Sequence, residues 1–142
     1  MVRWLSMMIL AACLALGGMA PGWGASDVQE KVRESSGKAA QDYLQLGLLH
    51  AGEGHDAEAA LAFRRALAIK SDWAEAHSLL GSALSRAGDL REAEAELRKA
   101  VQLKPDYAEG WNFLGEFLKG RGKDQEAQEA FAKAKQYAGP RH

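Results

Sequence analysis

Apolar residues recur three and four positions apart from residue 40 onward, and charged residues fill the positions between them. This spacing places the apolar side chains on one face of an α-helix. Glycine interrupts the pattern at regular intervals, which predicts short helices joined by turns. No segment alternates between apolar and polar residues over a sustained length, so the sequence predicts an all-α fold without a sheet.

The pattern returns in steps of 34 residues through three cycles. A Leu-Gly pair opens each cycle, a second glycine follows, and a Glu-Ala pair comes next. These cycles define three units, at 40–73, 74–107 and 108–141. The corresponding residues are Leu46-Gly47, Leu80-Gly81 and Leu114-Gly115, then Gly54, Gly88 and Gly122, then Glu58-Ala59, Glu92-Ala93 and Glu126-Ala127.

Each unit has the features of two helices packed closely around a tight turn. The glycine of the Leu-Gly pair and the later alanine leave room for the helices to approach, and an apolar residue fills the gap between them. The second glycine suits the left-handed conformation that ends a helix. The gap-filling residues are Phe63, Leu97 and Phe131.

This arrangement resembles the tetratricopeptide repeat, whose signature is W-x2-L-G-x2-Y, then A-x3-F, then P. The resemblance implies a right-handed superhelix of three helix-turn-helix repeats with six helices. It also implies a scaffold for protein partners. The family uses one fold for many purposes, so the resemblance does not identify the partner. The middle unit departs from the signature at His77, where an aromatic residue is usual, and we interpret His77 as a core residue or a groove contact.

The first 26 residues differ from the rest of the chain. A short basic start is followed by an uncharged apolar run and then by small, turn-forming residues. This order predicts a secretory signal peptide at 1–26, with cleavage after Gly24 or Ala25. One alternative is a lipoprotein signal, because Leu10-Ala11-Ala12-Cys13 fits a lipobox and would be lipidated at Cys13. Another is an uncleaved anchor, for which the run from Trp4 to Ala20 is just long enough.

All three interpretations place the rest of the chain across a membrane. They predict an exported protein, periplasmic if the signal is cleaved, and an outer-membrane lipoprotein or an inner-membrane protein otherwise. Residues 27–39 are polar, and Ser35-Ser36-Gly37 predicts a break in any helix there, so this segment is expected to be a linker. Membrane contact is expected only through the N-terminal segment.

The charge and cysteine content exclude further classes of function. The chain has 18 basic and 19 acidic residues, which are interleaved, and its formal net charge is −1. Nucleic-acid binding is not expected, because it needs clustered basic residues. Cys13 is the only cysteine, so a chain that has lost its signal has no disulfide and no thiolate nucleophile.

No catalytic, cofactor-binding or metal-binding residues are predicted. The glycines at Gly52 and Gly54 fit a loose dinucleotide pattern, but a helix and not a strand precedes them. The histidines show neither H-E-x-x-H nor a pair four residues apart, so no metal site is expected. We therefore expect a protein that is not an enzyme and needs no cofactor.

The resemblance also implies where a partner would bind. In the family the first helix of each repeat lines a concave groove, and a protein or peptide partner is expected there, for envelope assembly or secretion. The family's clamp for chaperone C-termini needs Lys and Asn where this chain has Leu44 and Leu48. An alternative is a homo-oligomer that uses the uncapped C-terminal end, where Lys135 replaces an apolar residue; another is a lipoprotein subunit of an envelope complex. The groove residues are Gln41, Leu44, Leu48, Glu75, Ser78, Ser82, Arg86, Glu109, Asn112, Glu116 and Lys119.

Overall fold

The structure is a computed structural model that describes residues 24–139. The described residues divide into two units between Arg33 and Glu34. Within residues 24–139 the regular elements are six α-helices, and that range contains no strand. The helices are α1 (Ala25–Gly52), α2 (Asp56–Ile69), α3 (Ala74–Ala87), α4 (Leu90–Leu103), α5 (Ala108–Gly120) and α6 (Asp124–Tyr137).

The helices pack as a chain of hairpins. Helix α3 packs against α4, and α5 packs against α6, while α2 contacts α3 and α4 contacts α5. The first helices of the second and third repeats, α3 and α5, also touch each other. Each repeat therefore buries its apolar face against its neighbours, as in a helical solenoid. The predicted all-α fold with six helices is confirmed.

The close approach of the two helices in each repeat depends on glycine. A Cβ atom built on Gly81 would lie 2.6 Å from Leu97 Cγ and 3.0 Å from the carbonyl oxygen of Ala93. Built on Gly47 or Gly115, it would lie within 2.6 Å of the ring of Phe63 or Phe131. The gap-filling side chain thus lies directly over the glycine of the first helix, as the sequence predicts.

The turns inside the repeats also follow the prediction. Gly54, Gly88 and Gly122 have φ angles of 79°, 96° and 72°, in the left-handed region where other residues are strained. The backbone N–H of Asp89 then donates to the carbonyl of Leu84, and that of Lys123 donates to Leu118. These bonds use carbonyls that the helix end would otherwise leave unpaired.

The first helix is longer than predicted. We expected Ser35-Ser36-Gly37 to interrupt it, but α1 runs from Ala25 to Gly52 without a break, so this expectation was wrong. A glycine inside a helix costs only about 1 kcal/mol relative to alanine. Helix propagation is cooperative, so the good helix formers on both sides outweigh that cost. The boundaries of the proposed linker and repeats stay predictions.

The N-terminal predictions concern residues that the structure does not describe. The apolar run and Cys13 lie before residue 24, so the choice between a cleaved signal, a lipoprotein and an anchor is still an expectation. Among residues 24–139, none of the helices combines the length and the apolar character needed to cross a bilayer.

Candidate functional site

The first helices, α1, α3 and α5, carry the residues predicted for the partner groove. Most of these side chains are exposed to solvent, and Ser82 is half-buried. Exposed carboxylates occur on both α3 and α5. A ligand could therefore reach exposed side chains on each of the three first helices. The exposed members are Gln41, Leu48, Glu75, Arg86, Glu109, Asn112, Glu116 and Lys119.

Two predicted groove residues lie in the core, and these predictions were wrong. Leu44 is 2% exposed and belongs to the main apolar cluster with Phe63. Ser78 is fully buried, and its hydroxyl donates to the backbone carbonyl of Glu75 at 2.8 Å. Both side chains point towards neighbouring helices and not towards the open face. The apolar end of the groove therefore consists of Leu48, which is 38% exposed.

Arg86 is exposed but already paired. Its Nε donates to Asp56 Oδ1 at 2.6 Å, and its Nη1 donates to Ser82 Oγ at 2.9 Å. Asp56 begins α2, so this ion pair joins the first repeat to the second. Arg86 therefore contributes to the alignment of the repeats, and the positive charge available to a ligand on this face comes from Lys119.

Several charges on the second helices are paired with one another. Arg64 donates to Glu92 at 2.6 Å, and Arg98 donates to Glu126 at 2.7 Å, so the same bond links successive second helices. These carboxylates raise the pKa of each arginine further. Each of these half-exposed pairs contributes only about 0–1 kcal/mol. Their main effect is to connect successive second helices.

Glu94 on α4 lies at the centre of the largest group of hydrogen-bonded charged residues on the second helices. Its carboxylate accepts from Lys123 at 2.9 Å and from Arg98 at 2.8 Å. These two bonds hold the pKa of Glu94 below its ordinary value. By contrast, the bonds formed among the described residues do not involve the side chains of Asn112, Glu116 or Lys119. The first helix of the third repeat thus presents three polar side chains that remain available to a ligand.

His77 is a core residue, which decides between the two interpretations of the sequence. It is 9% exposed, its Nδ1 lies 2.5 Å from Glu96 Oε2, and its Nε2 lies 2.9 Å from the carbonyl oxygen of Ser71. The carbonyl oxygen of Ser71 and the ionised carboxylate of Glu96 are both acceptors, so this geometry stabilises the form of the ring that carries a proton on each nitrogen. Trp111 makes the matching bond in the third repeat, from its Nε1 to the carbonyl of Pro105 at 2.7 Å.

This pairing predicts a pH-dependent stability. The bond to Glu96, and then the bond to Ser71, raise the pKa of His77 above its ordinary value, while burial and Lys99 oppose the rise. The stabilisation is complete below the unfolded pKa of about 6.5 and is lost as the pH rises through the folded pKa. We expect the free energy of unfolding of the wild type to exceed that of His77→Gln by about 1.5–3 kcal/mol at low pH. Urea unfolding across this range measures the difference, and a difference independent of pH would contradict the assignment.

The turn between α1 and α2 brings together three residues that sequence reasoning missed. His55 Nδ1 lies 3.3 Å from Glu53 Oε2, and His50 Nδ1 lies 4.0 Å from the same oxygen. One ligand atom from each residue falls within 4.8 Å of the others. The signal in the sequence was the spacing His-x-x-Glu-x-His around Gly54, which differs from the helical motifs usually sought.

Comparisons with known proteins agree with this architecture. Residues 74–117 match the family model described as tetratricopeptide repeat. No curated protein matches the sequence. The match covers the middle repeat and the start of the third, where the Leu-Gly pairs and the second glycine of the middle repeat lie.

Three similar solved structures have the same helical-repeat fold. The crystal structure of MamA is 25% identical with a TM-score of 0.64, covering 72% of this chain and 60% of MamA. Pseudomonas aeruginosa pilF is 29% identical with a TM-score of 0.68, covering 72% of this chain and 46% of pilF. The second TPR domain of Spaghetti (RPAP3), bound to the HSP90 peptide SRMEEVD, is 20% identical with a TM-score of 0.67, covering 73% of this chain and 95% of that domain.

The protein is thus an α-helical solenoid, built from hairpins that recur in a fixed register. Its middle segment, residues 74–117, matches the tetratricopeptide-repeat model, and the repeat region is similar in fold to the MamA and pilF structures. The matched region spans less than two thirds of the MamA and pilF chains.

Proposed function

We propose that the chain is a non-enzymatic scaffold that binds a peptide segment or partner protein along α1, α3 and α5. The observation that carries this proposal is a group of polar side chains on α5 that remain available to a ligand. Asn112, Glu116 and Lys119 are exposed and make no bonds with the described residues, whereas Arg64 and Arg98 on the second helices are paired across repeats. The Spaghetti domain with the same fold is bound to a peptide, which supports peptide binding by this chain.

The residues on this face indicate the chemistry of the ligand. Glu75, Glu109 and Glu116 are exposed carboxylates, while the single unpaired cation among the predicted groove residues of the described chain is Lys119. Leu48 supplies an apolar contact on α1. We therefore favour a segment with basic residues towards α5 and an apolar residue towards α1. Such a segment gains from complementary charge and from burial of apolar area.

The proposed setting is the cell envelope, where the scaffold would serve assembly or secretion. The order of charge, apolar run and small residues before residue 27 supports export. Removal of the signal would release the repeats into the periplasm, whereas lipidation at Cys13 or an uncleaved anchor would hold them at a membrane. Analysis of the N-terminus of the protein isolated from its native envelope distinguishes these three outcomes.

Peptide selection tests the binding proposal. Peptides selected from a random library on the wild-type chain should be basic, and Glu116→Lys should weaken their binding more than about tenfold, or about 1.4 kcal/mol. Glu129→Lys is the matched control, because it makes the same charge reversal at an exposed position on α6. Equal affinity of the wild type and Glu116→Lys would contradict binding at this face.

A further inference from the structure

We propose that the turn of the first repeat binds a divalent transition-metal ion through His50, Glu53 and His55. This site is separate from the peptide-binding face and does not depend on the proposed function. It rests on three observations, which are an unpaired buried nitrogen, the convergence of three ligand groups, and the restriction of this set to one repeat.

His50 occupies a position that is apolar elsewhere in the array. The second and third repeats have Leu84 and Leu118 there, and each of these side chains is 1% exposed. In the first repeat the imidazole places its Nδ1 in a buried setting, where it has no hydrogen-bond partner among the described residues. An unpaired buried nitrogen is costly, whereas leucine at this position carries no such cost. A bound ion would give this nitrogen its partner.

The distances in the turn suit a single ion. Ligand atoms on one tetrahedral ion lie about 3.4 Å apart when each bond is about 2.1 Å long. His55 Nδ1 and Glu53 Oε2 are already 3.3 Å apart, and His50 Nδ1 is 4.0 Å from the same oxygen. The ring centroids of His50 and His55 are 6.1 Å apart. Small rotations of the side chains would bring all three atoms to bonding distance.

The backbone holds these residues in place. The N–H of His55 donates to the carbonyl of His50 at 2.9 Å, and Gly54 between Glu53 and His55 has a φ of 79°. The backbone of the turn is therefore ordered before any ion binds, which reduces the entropic cost of ordering the ligands. His55 and Glu53 remain half-exposed, so water can complete the coordination.

The ligand set indicates the class of ion and is confined to one repeat. Two imidazoles and a carboxylate suit zinc, nickel or copper, whereas magnesium and calcium prefer oxygen ligands alone. The equivalent residues do not form such a set in the other repeats. They are Leu84, Ala87 and Asp89 in the second repeat, and Leu118, Arg121 and Lys123 in the third.

Calorimetric titration of the untagged chain with Zn²⁺ tests the site. We expect one ion per chain, and a thermal midpoint that rises with Zn²⁺ concentration, because ligand binding stabilises the folded state. His55→Ala and Glu53→Gln should each weaken binding more than about tenfold. Glu58→Gln is the matched control, since this exposed carboxylate in the first turn of α2 lies outside the set and should leave the affinity unchanged.

His50→Leu gives a second, independent result. It removes one ligand and restores the residue of the other two repeats, so Zn²⁺ binding should weaken while the metal-free thermal midpoint rises. Loss of binding through misfolding would lower that midpoint, so the two causes are distinguishable. A wild-type chain that does not bind Zn²⁺, or a His55→Ala variant that binds it as tightly as wild type, would overturn the proposal.

Discussion

Gly81→Leu is expected to abolish cooperative folding of the repeat array. Even the first added atom, a Cβ, would lie 2.6 Å from Leu97 Cγ and 3.0 Å from the carbonyl oxygen of Ala93. Leu97 is 1% exposed and cannot move aside, and the carbonyl belongs to the backbone of α4. Overpacking of this kind costs about 1–3 kcal/mol or more. A leucine adds three further carbons, so the total cost of overpacking should exceed the free energy of unfolding of a small domain.

Circular dichroism during urea unfolding measures this effect. Gly81→Ala should lower the midpoint, and Gly81→Leu should leave little helix in the absence of urea. Gly120→Ala is the matched control, because a Cβ there has no atom of the rest of the structure within 4 Å and should keep or raise the midpoint. A folded Gly81→Leu variant with the wild-type midpoint would show that α3 and α4 do not pack as described.

Leu44→Glu is expected to destabilise the chain by more than about 4 kcal/mol. Leu44 is 2% exposed and lies in the core cluster, so glutamate would place a carboxylate among apolar groups without a partner. In an array with few repeats, destabilisation of one repeat affects the whole array, because each repeat depends on its neighbours for a complete core. The expected result is a large fall in the midpoint of urea unfolding.

Leu48→Glu provides the comparison on the same helix. Leu48 is 38% exposed, so the same substitution one turn later should change the free energy of unfolding by less than about 0.5 kcal/mol. Equal destabilisation by the two substitutions would contradict the placement of Leu44 inside and Leu48 outside. The sequence pattern does not distinguish the two residues, and this pair of variants tests the correction directly.

The repeat register was predictable because it depends on residues with few alternatives. Glycine at Gly81 and the turn glycine at Gly88 each meet a strict steric demand, and that demand recurs at a fixed spacing. Periodicity also predicted which face of each helix is apolar. Ser78 shows the limit of the resemblance, because its position in the repeat was expected to face a partner in the groove. Its hydroxyl is instead satisfied by the carbonyl of Glu75, so it can be fully buried.

The remaining site features depend on contacts between segments, which spacing alone does not reveal. The ion pair between Arg86 and Asp56 joins different repeats, so the charge of Arg86 is not available to a ligand in the groove. The protonated form of His77 is stabilised by Glu96 from another helix. The convergence of His50 and His55 depends on a left-handed turn at Gly54. The continuity of α1 through Gly37 reflects cooperativity, which local turn signals do not predict.

Site-specific photo-crosslinking in the native cell tests the binding face most directly. A photoreactive residue at Asn112 reports on the proposed face, and the same residue at Gln128 reports on an exposed position of α6. The account predicts a discrete crosslinked partner from Asn112, lost when Glu116→Lys is added, and little crosslinking from Gln128. Equal crosslinking from both positions, or a partner captured only from Gln128, would contradict a ligand bound along the first helices.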